Sequence, residues 1–438
     1  MDLEAEAVVV GSGPGGATVA RALARAGWRV VLCEQGEDWR GRRTYGTHAG
    51  ALCYTDRGGL WFSREGVQIV RPLLLGGATG QFAGCAARPP DWLRTRYGLD
   101  LGAEVEETLA ELAVAPLPPD QRGAASTRLA QAGQALGYRW QPMPKLLRPA
   151  RARRFACGAH CLLGCRCGAK WSAAEFVDQA VAAGARLLTG ARVERLLRRD
   201  RQVVGVAGRR RGQPFTVRAE TVVLAAGGLG TPPLLRAAGL ARAGEGLALD
   251  TTLVVYGLGP GPGNALEPPM TWFWEDPAAG VMISPLVDPW LLYPVVAGLA
   301  DSRAILTWPR WRRLLGLMIK IKDTVSGRLL PDGSVSKPLL PDDRERLAYG
   351  LAIAQKTLIA AGAAPASLVL TPLRGTHPSA TVRLGDLVDA DLQTPVRGLF
   401  VCDASVFPEA LGRPTVVTII ALAKRLARRL IGRPAPAD

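Results

Sequence analysis

The chain has 438 residues, 48% of them hydrophobic and 21% charged, which is enough apolar material for one large core or two modest ones and excludes a disordered protein. The formal net charge of +16 rests on 54 basic residues, only seven of them lysine, with the arginines scattered through an Ala- and Gly-rich chain. Basic runs such as 151–154 and 209–211 therefore read as solvated surface, and nucleic acid is not the expected partner.

The opening AEAVVVGSGPGG, ATVARALARAG, WRVVLCEQG reads as strand, glycine turn, helix and strand, a βαβ unit whose β-branched runs suit buried parallel strands. Gly11, Gly13 and Gly16 stand in G-x-G-x-x-G spacing, and Glu34 closes the second strand. Gly11 permits the tight turn, Gly13 lets backbone approach a pyrophosphate and Gly16 allows close helix packing, while the helix N-terminus supplies free N–H groups. Glu34 is placed to accept hydrogen bonds from ribose hydroxyls, so the unit predicts dinucleotide binding. The acidic start is the wrong charge and length for a secretory signal, and no apolar run suffices to span a bilayer, so a cytoplasmic protein is expected.

Further along, CGAHCLLGCRCGAK holds Cys157, Cys161, Cys165 and Cys167 in the pattern C-x3-C-x3-C-x-C, leading into a predicted helix over AKWSAAEFVDQAVAAG. Four thiols so close can bind an iron–sulfur cluster or zinc, form disulfides or remain free. The spacing matches neither ferredoxin nor zinc-ribbon ligands. Lys170 reads as a surface residue at the helix start, with pairing to a cluster or flavin as the alternative. Cys33 and Cys402 read as small apolar packing residues of buried strands. ARVERLL and 219–239 predict further strands, the latter entering a glycine turn and helix.

From 241 to 374 the texture turns proline- and tryptophan-rich with alternating runs such as AILTW and GLMIKIKDT, predicting a second, antiparallel domain with a helix over 341–362. Within it, Trp308 to Lys322 mixes Trp, Arg and aliphatics, either as an interfacial segment giving peripheral contact at the inner face of a membrane or as a buried strand after a basic loop. Another buried strand ends at Asp403, and TVVTIIALAKRLARRLIG predicts a C-terminal helix.

Taken in order, GSGPGG, LLGGATGQFAG (74–84), AAGGLGTPPLL, HPSATVRLG and CDASVFPEALGRPTVVT resemble the glucose-methanol-choline (GMC) flavin oxidoreductases over most of the chain. The resemblance implies an α/β fold: a Rossmann-like FAD-binding domain of the p-hydroxybenzoate-hydroxylase-like type (1–240, containing the cysteine-rich segment 157–170), a smaller α+β substrate domain on an antiparallel sheet (241–374), and a return to the FAD domain carrying the catalytic motif (375–438). It implies FAD as cofactor, with Gly11, Gly13, Gly16 and Glu34 on the ADP half, Val193 near the adenine, Gly77 and Thr79 near the pyrophosphate and flavin, and Asp403 and Thr418 near the ribityl chain and ring. It also assigns His377 as the base for an alcohol proton, chemistry suited to the pKa of histidine.

Two departures stand out. Thr415 occupies the position of the family's second His or Asn, and Phe82 stands near an asparagine usual in the glycine-rich segment. Both suit an apolar donor. The resulting expectation is a dehydrogenase for a hydrophobic hydroxyl-bearing or otherwise activated small molecule, with Thr415 positioning oxygen. Electrons would pass through an iron–sulfur cluster, 4Fe-4S, on Cys157, Cys161, Cys165 and Cys167 to a one-electron acceptor or quinone. Alternatives are a desaturase or isomerase acting on a C–C or C–N bond, and a flavin electron carrier.

Overall fold

A computed structural model describes residues 1–152 and 154–432, leaving outside it Arg153 of the 151–154 run and the last six residues of the 375–438 segment. The chain opens with β1 (Ala7–Val10), α1 (Pro14–Arg25) and β2 (Val30–Cys33), all eight strand residues being buried. After a long excursion it continues through α2 (Ala174–Ala182) and β3 (Arg186–Leu188) into an antiparallel meander, β4 (Ala191–Arg199), β5 (Gln202–Arg210) and β6 (Gln213–Arg218). Next come β7 (Thr221–Leu224) and α3 (Thr231–Ala237).

The second layer is built from β8 (Thr252–Leu258), β9 (Trp272–Asp276) and β10 (Val281–Pro285), then two short helices, α4 (Leu292–Gly298) and α5 (Arg303–Thr307), then β11 (Leu314–Ile321) and the long α6 (Pro341–Ala360). The chain then returns through β12 (Leu399–Val401) and ends on α7 (Val416–Ile431).

The first sheet is parallel, in the order β12-β7-β1-β2-β3, with Ala7 opposite Thr221 on one side and Val30 on the other. Strands buried on both faces must be apolar throughout, and α1, α2 and α7 join them in one core. The second sheet is nine-stranded and mainly antiparallel. It takes short strands from 61–62, 68–69 and 141–142, so the span 241–374 does not hold all of it.

β11 shows how this sheet places chemistry. Its odd residues Leu315, Leu317, Ile319 and Ile321 pack with Ile353, Ala354 and Leu358 of α6. The two-residue period then puts Leu314, Met318 and Lys320 on the opposite face. Because α6 covers one side and the cavity walls the other, all eight residues are buried and the strand is not half-exposed. The segment Trp308 to Lys322 is accordingly a short helical turn followed by a buried strand, so its residues from Leu314 to Ile321 are not open to a membrane surface. AILTW, predicted to extend, lies instead in α5 and the turn after it, where the Arg303 backbone N–H donates to Asp301 Oδ1 (3.0 Å) at the helix start.

Candidate active site

The two sheets face a cavity of about 560 Å³. Of the predicted residues, Gly11, Gly13, Glu34, Gly77, Thr79, Val193, His377, Asp403 and Thr415 line it, as does Phe82. Gly16 and Thr418 do not.

Gly16 acts through packing. A Cβ there would stand 1.9 Å from the Gly11 carbonyl oxygen, so only glycine lets α1 close on its own turn. Gly11 itself has φ +101°, the left-handed side that other residues avoid. Thr418 lies in the first turn of α7, fully buried, its Oγ1 without a partner among the described residues. At roughly 100° per residue, positions 415, 416 and 419 share one arc of the helix and 418 falls outside it. The Thr418 side chain is therefore not part of the cavity lining that Thr415, Val416 and Ile419 form.

Several side chains hold the loops that form the wall. Glu34 Oε2 accepts from the Ser12 N–H (2.9 Å) and hydroxyl (2.7 Å), and Oε1 from the Gly36 N–H (2.7 Å). Burial raises this carboxyl above its usual range, against those hydrogen bonds. Asp403 Oδ2 accepts from the Gly227 N–H (2.9 Å) and the Thr231 hydroxyl (2.6 Å), fixing the turn that leads into α3. Thr79 Oγ1 donates to Gly76 O (2.6 Å) and accepts from the Ala173 N–H (2.9 Å).

His377 has an orienting partner. Its Nδ1 lies 2.8 Å from Asp250 Oδ2, with the carboxylate 1% exposed and the imidazole 24% exposed. Asp250 is held at φ +48°, and its Oδ1 accepts from the Gly412 N–H (2.8 Å). The strained turn is braced from below. Buried Asp323 accepts from the Leu249 and Asp250 N–H groups and from the Thr251 hydroxyl, and lies 2.9 Å from Lys337 Nζ, both side chains being 0% exposed. Lys320 Nζ donates to the Thr376 hydroxyl (3.1 Å) and to Asp250 O (3.3 Å). Burial and the nearby Lys320 charge hold the His377 imidazole below the ordinary histidine range, against the pull of Asp250. Burial likewise lowers Lys320.

Sequence reasoning missed Asp250, Lys320 and the Asp323–Lys337 pair. A signal existed for Lys320, a lone charge inside the apolar run LLGLMIKI. Asp250 sits in no local motif and reaches His377 across 127 positions of sequence.

The cysteine segment differs from its expectation. Among the described residues no group of three or more His, Cys, Asp or Glu side chains is arranged to hold a metal ion. The sulfurs instead make a chain of thiol contacts, Cys157 to Cys167 at 3.9 Å and Cys165 to Cys167 at 3.8 Å, whereas a four-iron cube would hold its ligand sulfurs apart around its corners. The assignment of Cys157, Cys161, Cys165 and Cys167 as cluster ligands is thus not supported. Lys170 is no surface residue: it is 5% exposed, and its Nζ donates to Phe82 O (2.7 Å) and Cys161 O (2.8 Å), tying this segment to the cavity wall. The hydrogen bond with Cys157, with Lys170 and Lys145 nearby, lowers the Cys161 thiol below its usual range.

A GMC-type oxidoreductase of Sinorhizobium fredii is 30% identical over 492 residues, covering 98% of this chain and 94% of its own. The chain belongs to the GMC oxidoreductases. Family models described as GMC oxidoreductase match residues 86–254 and 339–423, and one for an NAD(P)-binding Rossmann-like domain matches 9–70. A GMC-type oxidoreductase of Mycobacterium tuberculosis (strain H37Rv) is 39% identical over 274 residues, 58% of this chain, and the match spans only 43% of that relative's length. A long-chain-alcohol oxidase of Arabidopsis thaliana is 24% identical, with 98% of this chain and 67% of that protein covered. The crystal structure of a pyridoxine 4-oxidase from Mesorbium loti shares the fold at TM-score 0.71 and 19% identity, over 97% of this chain and 98% of that one.

A GMC oxidoreductase is an FAD-dependent enzyme, and the residues of this cavity fit the cofactor. The N-terminus of α1 has no side-chain cap, so its first N–H groups are left for an anion, and a Cβ on Gly13 would meet nothing within 4 Å. That open cradle is where a pyrophosphate would be held, with Glu34 and Val193 toward the adenosine.

Proposed function

We propose that this GMC oxidoreductase oxidises the CH–OH group of an apolar alcohol. The observation that carries the reading is the His377–Asp250 pair at 2.8 Å in the cavity wall. With Nδ1 engaged by the carboxylate, Nε2 is the ring nitrogen free to take a proton, and the lowered pKa keeps the ring neutral and ready to accept it. Asp250 fixes the tautomer and stabilises the imidazolium once the hydroxyl proton has arrived. Lys320 adds positive charge beside developing negative charge on the alcohol oxygen, and Thr415 offers a hydroxyl to orient that oxygen. When bound, FAD supplies the acceptor for the hydride leaving the carbinol carbon.

Leu162, Met270, Leu286, Met318 and Phe82 make much of the remaining lining, which supports a hydrophobic substrate. The relation to a long-chain-alcohol oxidase points the same way. A quinone or a one-electron carrier is the proposed final acceptor, tested by anaerobic reoxidation of the reduced enzyme.

The deciding experiment titrates the oxidised enzyme anaerobically with primary alcohols of increasing chain length. Bleaching of the flavin with formation of an aldehyde supports the proposal. If no alcohol bleaches the flavin, or if the product is two mass units lighter with no new carbonyl, the alcohol reading fails and desaturation replaces it.

A further inference from the structure

We infer that the face made by α4 and α5 docks on an anionic lipid bilayer. Leu291, Val295 and Leu299 follow one another at four-residue spacing along α4 and its ends, and are 41%, 55% and 60% exposed. From α5, Ile305 and Leu306 add to this patch at 56% and 77%. Trp290, 45% exposed, lies with its ring 5.1 Å from that of Trp308, whose Nε1 donates to Trp290 O (3.0 Å). Amphipathic tryptophans beside aliphatic side chains suit the boundary between headgroups and acyl chains.

The inner side of the same hairpin is firmly built. Tyr293, Val296, Ala297 and Ala304 are buried, and the Tyr293 and Thr307 hydroxyls share a hydrogen bond of 2.5 Å. The outward apolar side chains are thus held in place by a rigid base.

The charges around the patch favour a bilayer over a second copy of the chain. Between 290 and 313 there are four arginines, Arg303, Arg310, Arg312 and Arg313, and apart from buried Asp288 just before them the only acid is Asp301. The Arg310 and Arg312 side chains are exposed and have no ion-pair or hydrogen-bond partner among the described residues. Arg303, Arg310 and Arg313 also line a cleft of about 600 Å³ whose wall includes exposed Leu306, so cationic and apolar groups meet at one place. A second copy would bring arginine against arginine, whereas a bilayer of anionic lipids offers phosphates to the arginines and acyl chains to the leucines. Leu286, on the wall of the active cavity, precedes Trp290 by four residues, so docking would set the substrate site close to the lipid. The inference does not depend on which compound is oxidised.

The test is co-sedimentation of the full-length holoenzyme with vesicles of phosphatidylcholine containing phosphatidylglycerol, and with phosphatidylcholine alone. Wild type is expected to pellet with the anionic vesicles, less with the neutral ones, and less as salt is raised. The exposed double variant Val295→Glu, Leu306→Glu should keep its flavin spectrum and Tm and lose vesicle binding at least tenfold. Arg310→Ala with Arg312→Ala should lose the preference for anionic lipid. Failure of wild type to pellet, or equal pelleting by the double glutamate variant, would overturn the inference. So would a wild-type dimer in analytical ultracentrifugation that this variant converts to monomer, since the face would then join two copies.

Discussion

Lysine is scarce in this chain, and Lys145, Lys170, Lys320, Lys337 and Lys424 are each at most 6% exposed. Arginine carries the surface charge, while these lysines sit where a compact cation meets backbone carbonyls or a carboxylate. Lys320 is the one that bears on chemistry. Because burial and Lys320 lower His377, the acid limb of the kcat/KM profile is expected below the ordinary histidine value of about 6.5. Lys320→Met removes a positive neighbour, so that limb should move to higher pH; a limb that stays in place would show that burial alone sets it. His377→Ala is expected to lower kcat roughly a hundredfold or more in single-turnover flavin reduction, with FAD still bound. Nearly unchanged turnover with the native acceptor would instead indicate an electron carrier. The same shift has a stability consequence. A histidine whose folded pKa is depressed binds its proton more readily when unfolded, so its contribution is present above the unfolded value and is lost as pH falls through the folded one.

At the scale of elements, the first βαβ unit was legible because its signals are local: four-residue buried strands, a glycine turn and an acid at the strand end. Gly16→Ala would drive a methyl group into the Gly11 carbonyl, so the variant is expected to purify with a reduced flavin-to-protein ratio, measured by absorbance. The turn at 249–251 was not legible, since its support is a carboxylate from the end of β11 and a lysine from beyond it. Lys337→Met leaves Asp323 buried without its cation, and a loss of about 3–5 kcal/mol in denaturant unfolding is expected. α5 was misread for a related reason. Five residues of mixed periodicity cannot distinguish strand from helix, and only the structure shows the turn leading into the helix, in which Asp301 accepts from the Arg303 N–H.

Across the whole molecule, burial sorts the eight cysteines. Cys53 is exposed, Cys165 and Cys167 are intermediate, and the others are buried. Burial pushes the Cys33 thiol up to about 12 and raises Cys402 as well, so maleimide labelling of the native protein, read by peptide mass, should reach Cys53 first and these two only after unfolding. Early labelling of Cys402 would mean that the parallel sheet opens locally. The sequence by itself determined what depends on neighbours in the chain: the dinucleotide turn at Gly11–Gly16, the two-layer α/β architecture, and His377 as the candidate base through its resemblance to a known motif. Only the tertiary structure decided which groups act on that histidine, because Asp250 and Lys320 reach it through a left-handed turn and a two-residue strand period that no local pattern encodes. It also decided that the clustered cysteines lie in thiol contact, closer together than ligand sulfurs around the corners of a four-iron cube, and that Leu291, Val295, Leu299, Ile305 and Leu306 face outward. Spacing along a chain sets which groups are near in sequence, but packing sets where their side chains point.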